Sequence, residues 1–206
     1  MRDRENKNTK RGRLLNAGKK LFSEKGFRGT SVREIAQEAD SNVSMISYYF
    51  GGKEQLYSSI VEEFAREIRS FFSEEDVVDM TPGEKVRHYT TRVMTMHSKN
   101  PQLARILRHE MNSPTPVLDR LQKDLFPVVF GFLQKAFQEG IQNGDFRSDL
   151  DPVVMSYSVA SVVNFYYLQN ELVRRINPGF EGLGSEIIDR ALDIFFNGVR
   201  ASELGR

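Results

Sequence analysis

Residues Thr30 to Lys53, TSVREIAQEADSNVSMISYYFGGK, leave the chain little choice of local structure. Ser31 starts a helix, because its side chain can accept a free amide of the first turn and Glu34 three residues on completes a capping box. Val32, Ile35, Ala36 and Ala39 then repeat on one helical face, so this helix is expected over Ser31 to Ala39. A second helix is expected from about Asn42, its N-cap, to Tyr49. Ile46, Tyr49 and Phe50 form its inward face; Val43, Ser44, Ser47 and Tyr48 point elsewhere. Only Asp40 and Ser41 remain to turn the chain. Two short helices joined so tightly, the second polar at its N-terminal end, form a helix-turn-helix suited to the major groove of DNA.

The charge distribution points the same way. The 206 residues carry a net charge of only +1, yet residues 1–53 hold 12 Lys and Arg against 6 Asp and Glu, and the remainder holds 17 against 22. A basic head on an acidic body suits a DNA-binding domain fused to a domain with another task. The division expected is therefore a basic arm and reader over residues 1–53 and a second domain over 54–206. Residues 1–13 are polar and basic without periodicity. Arg2, Arg4, Lys7, Lys10, Arg11 and Arg13 read as a flexible arm able to follow phosphates or enter a minor groove.

The run from Leu14 to Tyr57, about a quarter of the chain, resembles the N-terminal domain of the TetR/AcrR family of transcriptional regulators. The resemblance lies in LFSEKGF (Leu21 to Phe27), the G-T-S-V-R-E-I-A that begins the second helix, the Y-Y-F that ends the third, and the G-K-E-Q-L-Y that opens the fourth. In the turn the family has Gly and an aliphatic residue where this chain has Asp40 and Ser41. Asp tolerates a left-handed backbone better than most residues, so the turn is expected to survive. The resemblance implies that Thr30 and Lys53 meet phosphates, Asn42, Val43, Ser44 and Ser47 meet the groove, and Tyr48 meets the backbone; Ser31 and Met45 are expected at the same DNA-binding surface. The third helix has no Arg, Lys or Gln for bidentate base contacts, so specificity would rest on Asn42, on apolar contact with thymine methyls by Val43 or Met45, and on DNA shape.

Elsewhere the pattern is helical throughout. The first helix is expected over Arg11 to Lys25 with Gly26 as its stop, and the fourth over Lys53 to Ser73. Thr81-Pro82-Gly83-Glu84 opens a helix to about Ser98, and Asn100-Pro101 opens another to Met111. Ser113 to Pro116 precedes one long helix to Gln142, kinked at Pro127. Asp151-Pro152 starts a helix to Ile176, and Ser185 caps the last, to Ala201. The fold expected is all-α: a three-helix DNA-binding head followed by a helical bundle, about nine helices in total.

Chemistry is sparse. With no cysteine there is no disulfide framework and no thiolate. His88, His97 and His109 lack the spacing of a helical metal site, and no Gly-rich phosphate loop or nucleophile elbow occurs. No catalytic residue, metal or cofactor is expected. No run of about 18 apolar residues could span a membrane, and no apolar segment follows the basic N-terminus, so a cytoplasmic protein is expected.

The second domain is rich in aromatic and Met residues with a few polar groups among them, the composition of a small-molecule pocket. Met94, His97, Leu107, Met111, Phe132, Tyr157, Asn164 and Tyr167 are the candidates, with His97 and Asn164 the polar members. The helix beginning at Asp151-Pro152 is apolar on nearly all sides. The last helix carries Ile188, Leu192, Phe195 and Val199 on one stripe, with Ile187, Ile194 and Phe196 beside it. More apolar surface than one bundle can cover suggests a four-helix dimer interface. The reading is a homodimeric repressor of a palindromic double-stranded DNA operator, released by a small-molecule effector. The rival is a helical enzyme or ligand-binding protein with a DNA-binding head, which turnover of a substrate would support.

Overall fold

The computed structural model describes residues 9–72, 77–176 and 186–200. Ten helices occur among them: α1 (Lys10–Lys25), α2 (Val32–Glu38), α3 (Ser44–Phe50), α4 (Lys53–Ser70), α5 (Pro82–Lys99), α6 (Pro101–Asn112), α7 (Pro116–Asp124), α8 (Phe126–Asn143), α9 (Pro152–Ile176) and α10 (Glu186–Val199). No strand forms among the described residues; a single bridge pairs Phe146 with Arg200.

Local chemistry accounts for most boundaries. The Thr9 hydroxyl accepts the Gly12 amide and starts α1, and Gly26 stops it at φ 70°. A Cβ on Gly26 would stand 3.1 Å from His109 Nδ1, so both the backbone and the close approach of α6 favour glycine there. Thr81 and Glu84 form the reciprocal cap expected before α5. Asp151 accepts the amides of Val153 and Val154 at the start of α9. Residues 73–76, residues 177–185 with the expected cap Ser185, and the end of the expected last helix lie outside the described residues. The long helix expected to be kinked at Pro127 is instead two helices, α7 and α8. Leu125 is the N-cap of α8 and Pro127 lies in its first turn, where a missing N–H costs nothing.

The chain forms two compact units. One is residues 1–67 with 100–121; the other is residues 68–99 with 122–206. This grouping differs from a division at residue 53, because most of α4, all of α6 and part of α7 join the head. In the first unit α1 packs on α2 and α6, with Leu14, Phe22, Ile35, Ile46, Leu56, Tyr57 and Ile60 essentially inaccessible. In the second, α9 packs on α5, α8 and α10 around Tyr89, Leu133, Phe137, Val159 and Val163.

Candidate nucleic-acid interface

Ser31 caps α2 through the full reciprocal box: its hydroxyl accepts the Glu34 amide, and Glu34 accepts the Ser31 amide at 2.8 Å. Glu34 also accepts from Lys25 Nζ at 2.6 Å, and that bond, followed by those from Ser31, holds its carboxyl down at about 2. Asp40 turns the chain at φ 47°, the only non-Gly residue with positive φ among those described. The Ser41 amide then donates to Ala36 O at 2.9 Å.

α3 begins at Ser44, slightly later than the sequence suggests, but Asn42 still organises its start. Asn42 Oδ1 accepts both the amide and the hydroxyl of Ser44, at 3.1 Å each. That leaves the Asn42 amide group as a donor for an outside partner. Ile46 and Phe50 are buried, and Met45 and Tyr49 half-buried. Asn42, Val43, Ser44 and Ser47 are exposed, and Tyr48 is 76% exposed with its ring edge-on to Tyr49. One face of α3 is thus committed to the core and the other is open over its length.

Lys53 is half-buried, with Nζ 4.4 Å from the centroid of the Phe27 ring. Burial pulls its pKa down, while the Glu34 carboxylate opposes the shift. At the same C-terminal end of α3, the Arg11 guanidinium lies 4.9 Å over Phe50, and Arg13 reaches Asp40, before α3, at 3.6 Å. Arg11 and Arg13, expected in a flexible arm, therefore belong to α1, as does Lys10; Arg2, Arg4 and Lys7 lie outside the described residues. Thr30 requires a correction. It is 2% exposed and its hydroxyl turns inward toward Gly26 O (2.8 Å) and Leu21 O (3.2 Å), which leaves nothing to offer a phosphate.

No motif or spacing announces the carboxylate buried in this unit. Glu110 of α6 is 1% exposed and accepts from Tyr57 Oη (2.6 Å), Thr115 N (3.1 Å) and Thr115 Oγ1 (3.0 Å). Burial and then the Glu110 bond push the Tyr57 hydroxyl pKa up. The network ties α6 and the turn after it to α4, and three donors make an interior carboxylate tolerable.

The effector candidates divide between the two units. Leu107 and Met111 are in the first; Leu107 is half-buried and Met111 is 64% exposed on α6, so Met111 lines no enclosed core. The others are in the second. His97 is 2% exposed, its Nε2 stands 3.4 Å from Asn164 Oδ1, and its ring stacks on Tyr167 at 4.6 Å and 17°. Asn164 Nδ2 donates to Ala160 O at 2.8 Å and approaches Tyr89 Oη at 3.4 Å. Phe132 lies 5.0 Å from Phe72, which stacks on Tyr89. His97, Asn164 and Tyr167 therefore meet, with Tyr89 as a member the sequence did not single out. Burial lowers the His97 pKa to about 4 and pushes Tyr89 up to about 12. Met94 is half-buried on α5, whereas Tyr157 is 54% exposed and stacks on Phe130 at 4.5 Å, so Tyr157 too lines no enclosed core. A separate open cleft of about 610 Å³ runs along α5 past Met80, Glu84, Arg87, His88 and Arg92, and none of the expected residues lines it.

The expected dimer stripe is corrected as well. Ile188, Leu192 and Val199 are 1%, 5% and 4% exposed within the protomer, and Phe195 is half-buried with its ring 6.0 Å from Phe137. That face of α10 is core. The stripe beside it carries Ile187, Ala191, Ile194 (74% exposed) and Gly198, and α9 exposes Val154, Tyr157, Phe165, Leu172 and Ile176. No helix of the described residues is long and apolar enough to cross a membrane.

Comparison with known proteins agrees with this architecture. Residues 14–60 match the model of bacterial regulatory proteins of the tetR family, and residues 82–178 match a tetracyclin repressor-like C-terminal domain. The probable HTH-type transcriptional regulator YttP of Bacillus subtilis (strain 168) is 26% identical over 168 residues, 80% of each chain. The HTH-type transcriptional repressor NicS of Pseudomonas putida (strain KT2440) is 28% identical over 159 residues, 76% of this chain and 74% of that one. Among solved structures, the hemolysin II transcriptional regulator HlyIIR superposes with TM-score 0.68 at 28% identity, covering 94% of this chain and 98% of that one. FadR from Bacillus subtilis, solved with stearoyl-CoA, shares the fold at TM-score 0.72 and 19% identity, over 91% and 98% of the two chains. Regulators of this kind bind operator DNA and small-molecule effectors, and they are not enzymes. The two family models take in the reader and most of the bundle in the order seen here, and the chain belongs to the TetR family of transcriptional regulators.

Proposed function

We propose that the protein is a homodimeric repressor that binds a palindromic operator and leaves it when a small molecule enters the second unit. The observation that carries this reading is the two-sided α3: Ile46 and Phe50 are committed to the core, while Asn42, Val43, Ser44, Ser47 and Tyr48 stand open on one face. Met45, half-buried, contributes at the edge of that face. Phosphate contacts fix register without reading sequence, a role suited to Lys53, Tyr48 and Ser31. Arg11 joins them from the start of α1.

Two readers on one operator need two chains. The outward apolar faces of α9 and α10 suit a self-complementary interface about a two-fold axis, and joining two weak readers raises affinity through effective concentration. α4 runs from residue 53 of the first unit to residue 70 of the second, so it carries effector binding toward the reader. A coupling of about 1–3 kcal/mol would be usual, and operator would then weaken effector binding by the same factor. A repressor of this design works in the cytoplasm, where the DNA is.

Selection of bound sequences from random DNA, repeated with a panel of small molecules, tests the proposal. A two-fold repeated site, with half-sites about one or more helical turns apart and binding lost with some panel member, is expected. Enrichment of no sequence would remove the operator, and identical enrichment with every compound would remove the effector.

A further inference from the structure

Lys53 is settled in place before any DNA arrives. It stands four residues before Tyr57 on α4, so the two share a face of that helix. The Phe27 ring lies against this face, its centroid 4.4 Å from Lys53 Nζ and 5.0 Å from the centroid of the Tyr57 ring. Among the described residues, none accepts a hydrogen bond from Lys53 Nζ. The Glu34 carboxylate acts on it only through space, and already accepts from Lys25 at 2.6 Å and from Ser31 at 2.8 Å. A half-buried ammonium thus rests on an aromatic face with its three donors unspent. A ring face offers no lone pair, so it holds the cation without competing for those donors.

The platform is itself closely held. Tyr57 is 1% exposed, its ring meets Phe22 edge-on at 4.8 Å, and its hydroxyl donates to Glu110 at 2.6 Å. Phe22 in turn stacks on Phe27 at 6.1 Å and 27°. Gly26, the residue before Phe27, stands so near α6 that a Cβ there would be 3.1 Å from His109 Nδ1. Two consecutive residues of α6, His109 and Glu110, therefore confine the backbone that enters Phe27 and the ring that supports it.

This matters because a lysine is a loose holder of phosphate. Its four-carbon stem gives up rotamer freedom when the contact forms, and that loss is subtracted from affinity. A lysine already resting on a ring has given up much of that freedom during folding. We propose that Phe27 is a positioning residue for the phosphate contact of Lys53, and that Tyr57, tied to Glu110, holds Phe27 in that role. The inference rests on the phosphate reading of Lys53 given above.

Binding of the full chain to a random-sequence duplex, followed by fluorescence anisotropy across a range of salt, isolates this contact from operator sequence and from any effector. Lys53→Ala should lower the salt slope by roughly one unit. Phe27→Leu keeps apolar bulk but removes the flat platform. It should weaken binding about two- to tenfold at an unchanged slope, because the contact still forms but from a freer side chain. Phe27→Tyr, which restores the ring, should recover wild-type binding. Tyr57→Phe keeps its ring and cuts the Glu110 bond, and should weaken binding by a smaller factor. In a Lys53→Ala background the losses from Phe27→Leu and Tyr57→Phe should both vanish, whereas a purely structural role would preserve them. Circular dichroism melts keep every comparison below the unfolding transition. Phe27→Leu binding as tightly as wild type, or losing as much affinity without Lys53 as with it, would overturn the inference. Tyr57→Phe indistinguishable from wild type would overturn the part assigned to Tyr57. If Lys53→Ala leaves affinity and slope unchanged, the phosphate reading itself falls; a lowered slope beside an inert Phe27→Leu removes only the inference.

Discussion

α3 and α10 are both amphipathic helices with an apolar stripe, and they differ in what lies beside that stripe. In α3 the other face is Ser44, Ser47 and Tyr48, so polarity alone decides which side is buried. In α10 the stripe Ile188, Leu192, Phe196 and Val199 is flanked on one side by the apolar Ile187, Ala191, Ile194 and Gly198, and only on the other by the polar Glu186, Arg190, Asp193 and Asn197. Either face could seal a core, and periodicity cannot choose between them. Inside a protomer the choice falls to the stripe with the larger side chains at close contact. The lesson is that hydrophobic pattern identifies a buried face only when the alternative face is polar.

The largest expected effect breaks α10 open at this distinction. Leu192→Ala empties a core position and should cost about 2–5 kcal/mol in the unfolding of the chain, whereas Ile194→Ala should leave protomer stability within about 0.5 kcal/mol. Denaturant unfolding at concentrations low enough to hold monomers measures both; equal costs would mean the two faces are not distinct.

A second prediction sets the core of the second unit against the head by pH. His97 has a folded pKa of about 4 against an ordinary 6.5. The unfolded chain therefore binds more protons between those values, and stability falls as pH drops from 6.5 toward 4, by on the order of 3 kcal/mol in the limit. The carboxyl of Glu34 in the head, held at about 2, loses its contribution only below the ordinary carboxylate range. His97→Phe should flatten the slope between pH 6.5 and 5, and an unchanged slope would show that His97 does not titrate with unfolding.

Two smaller effects sharpen the picture of α3. Lys53→Ala should weaken binding to all DNA and lower the salt slope by roughly one unit, as loss of one phosphate contact requires. A preserved slope would return Lys53 to a purely structural role on the Phe27 ring. Asp40→Gly should stabilise the head by about 0.5–1 kcal/mol by relieving a left-handed L-residue, because the 3.6 Å pair with Arg13 is exposed and weak. Asp40→Val should cost more than that, since a branched side chain suits positive φ least; thermal melts of the three proteins give the order.

What could be read ahead of the structure follows local chemistry. The capping boxes at Ser31 and Thr81, the glycine stop at Gly26, and the proline starts at Pro82, Pro101 and Pro152 are each decided by residues a few positions apart. Pro127 was harder, because a proline in an apolar run signals either a kink or a new first turn and only the surrounding packing decides. The inward turn of Thr30 and the burial of Glu110 depend on partners 4 to 53 residues away, with no spacing rule to announce them. The assignment of α6 to the head has the same cause: its buried face, Leu103, Ile106 and Glu110, looks like any other amphipathic helix in sequence.

Sedimentation equilibrium at micromolar concentration, run beside circular dichroism, tests most directly whether a second copy covers the outward faces of α9 and α10. The wild-type chain should sediment as two copies. Ile194→Glu, which would leave a charge without a partner inside that contact, should sediment as one fully helical copy that has lost tight operator binding. A wild-type protein that is a helical monomer, or an Ile194→Glu protein that remains a dimer, would contradict the assignment of that face.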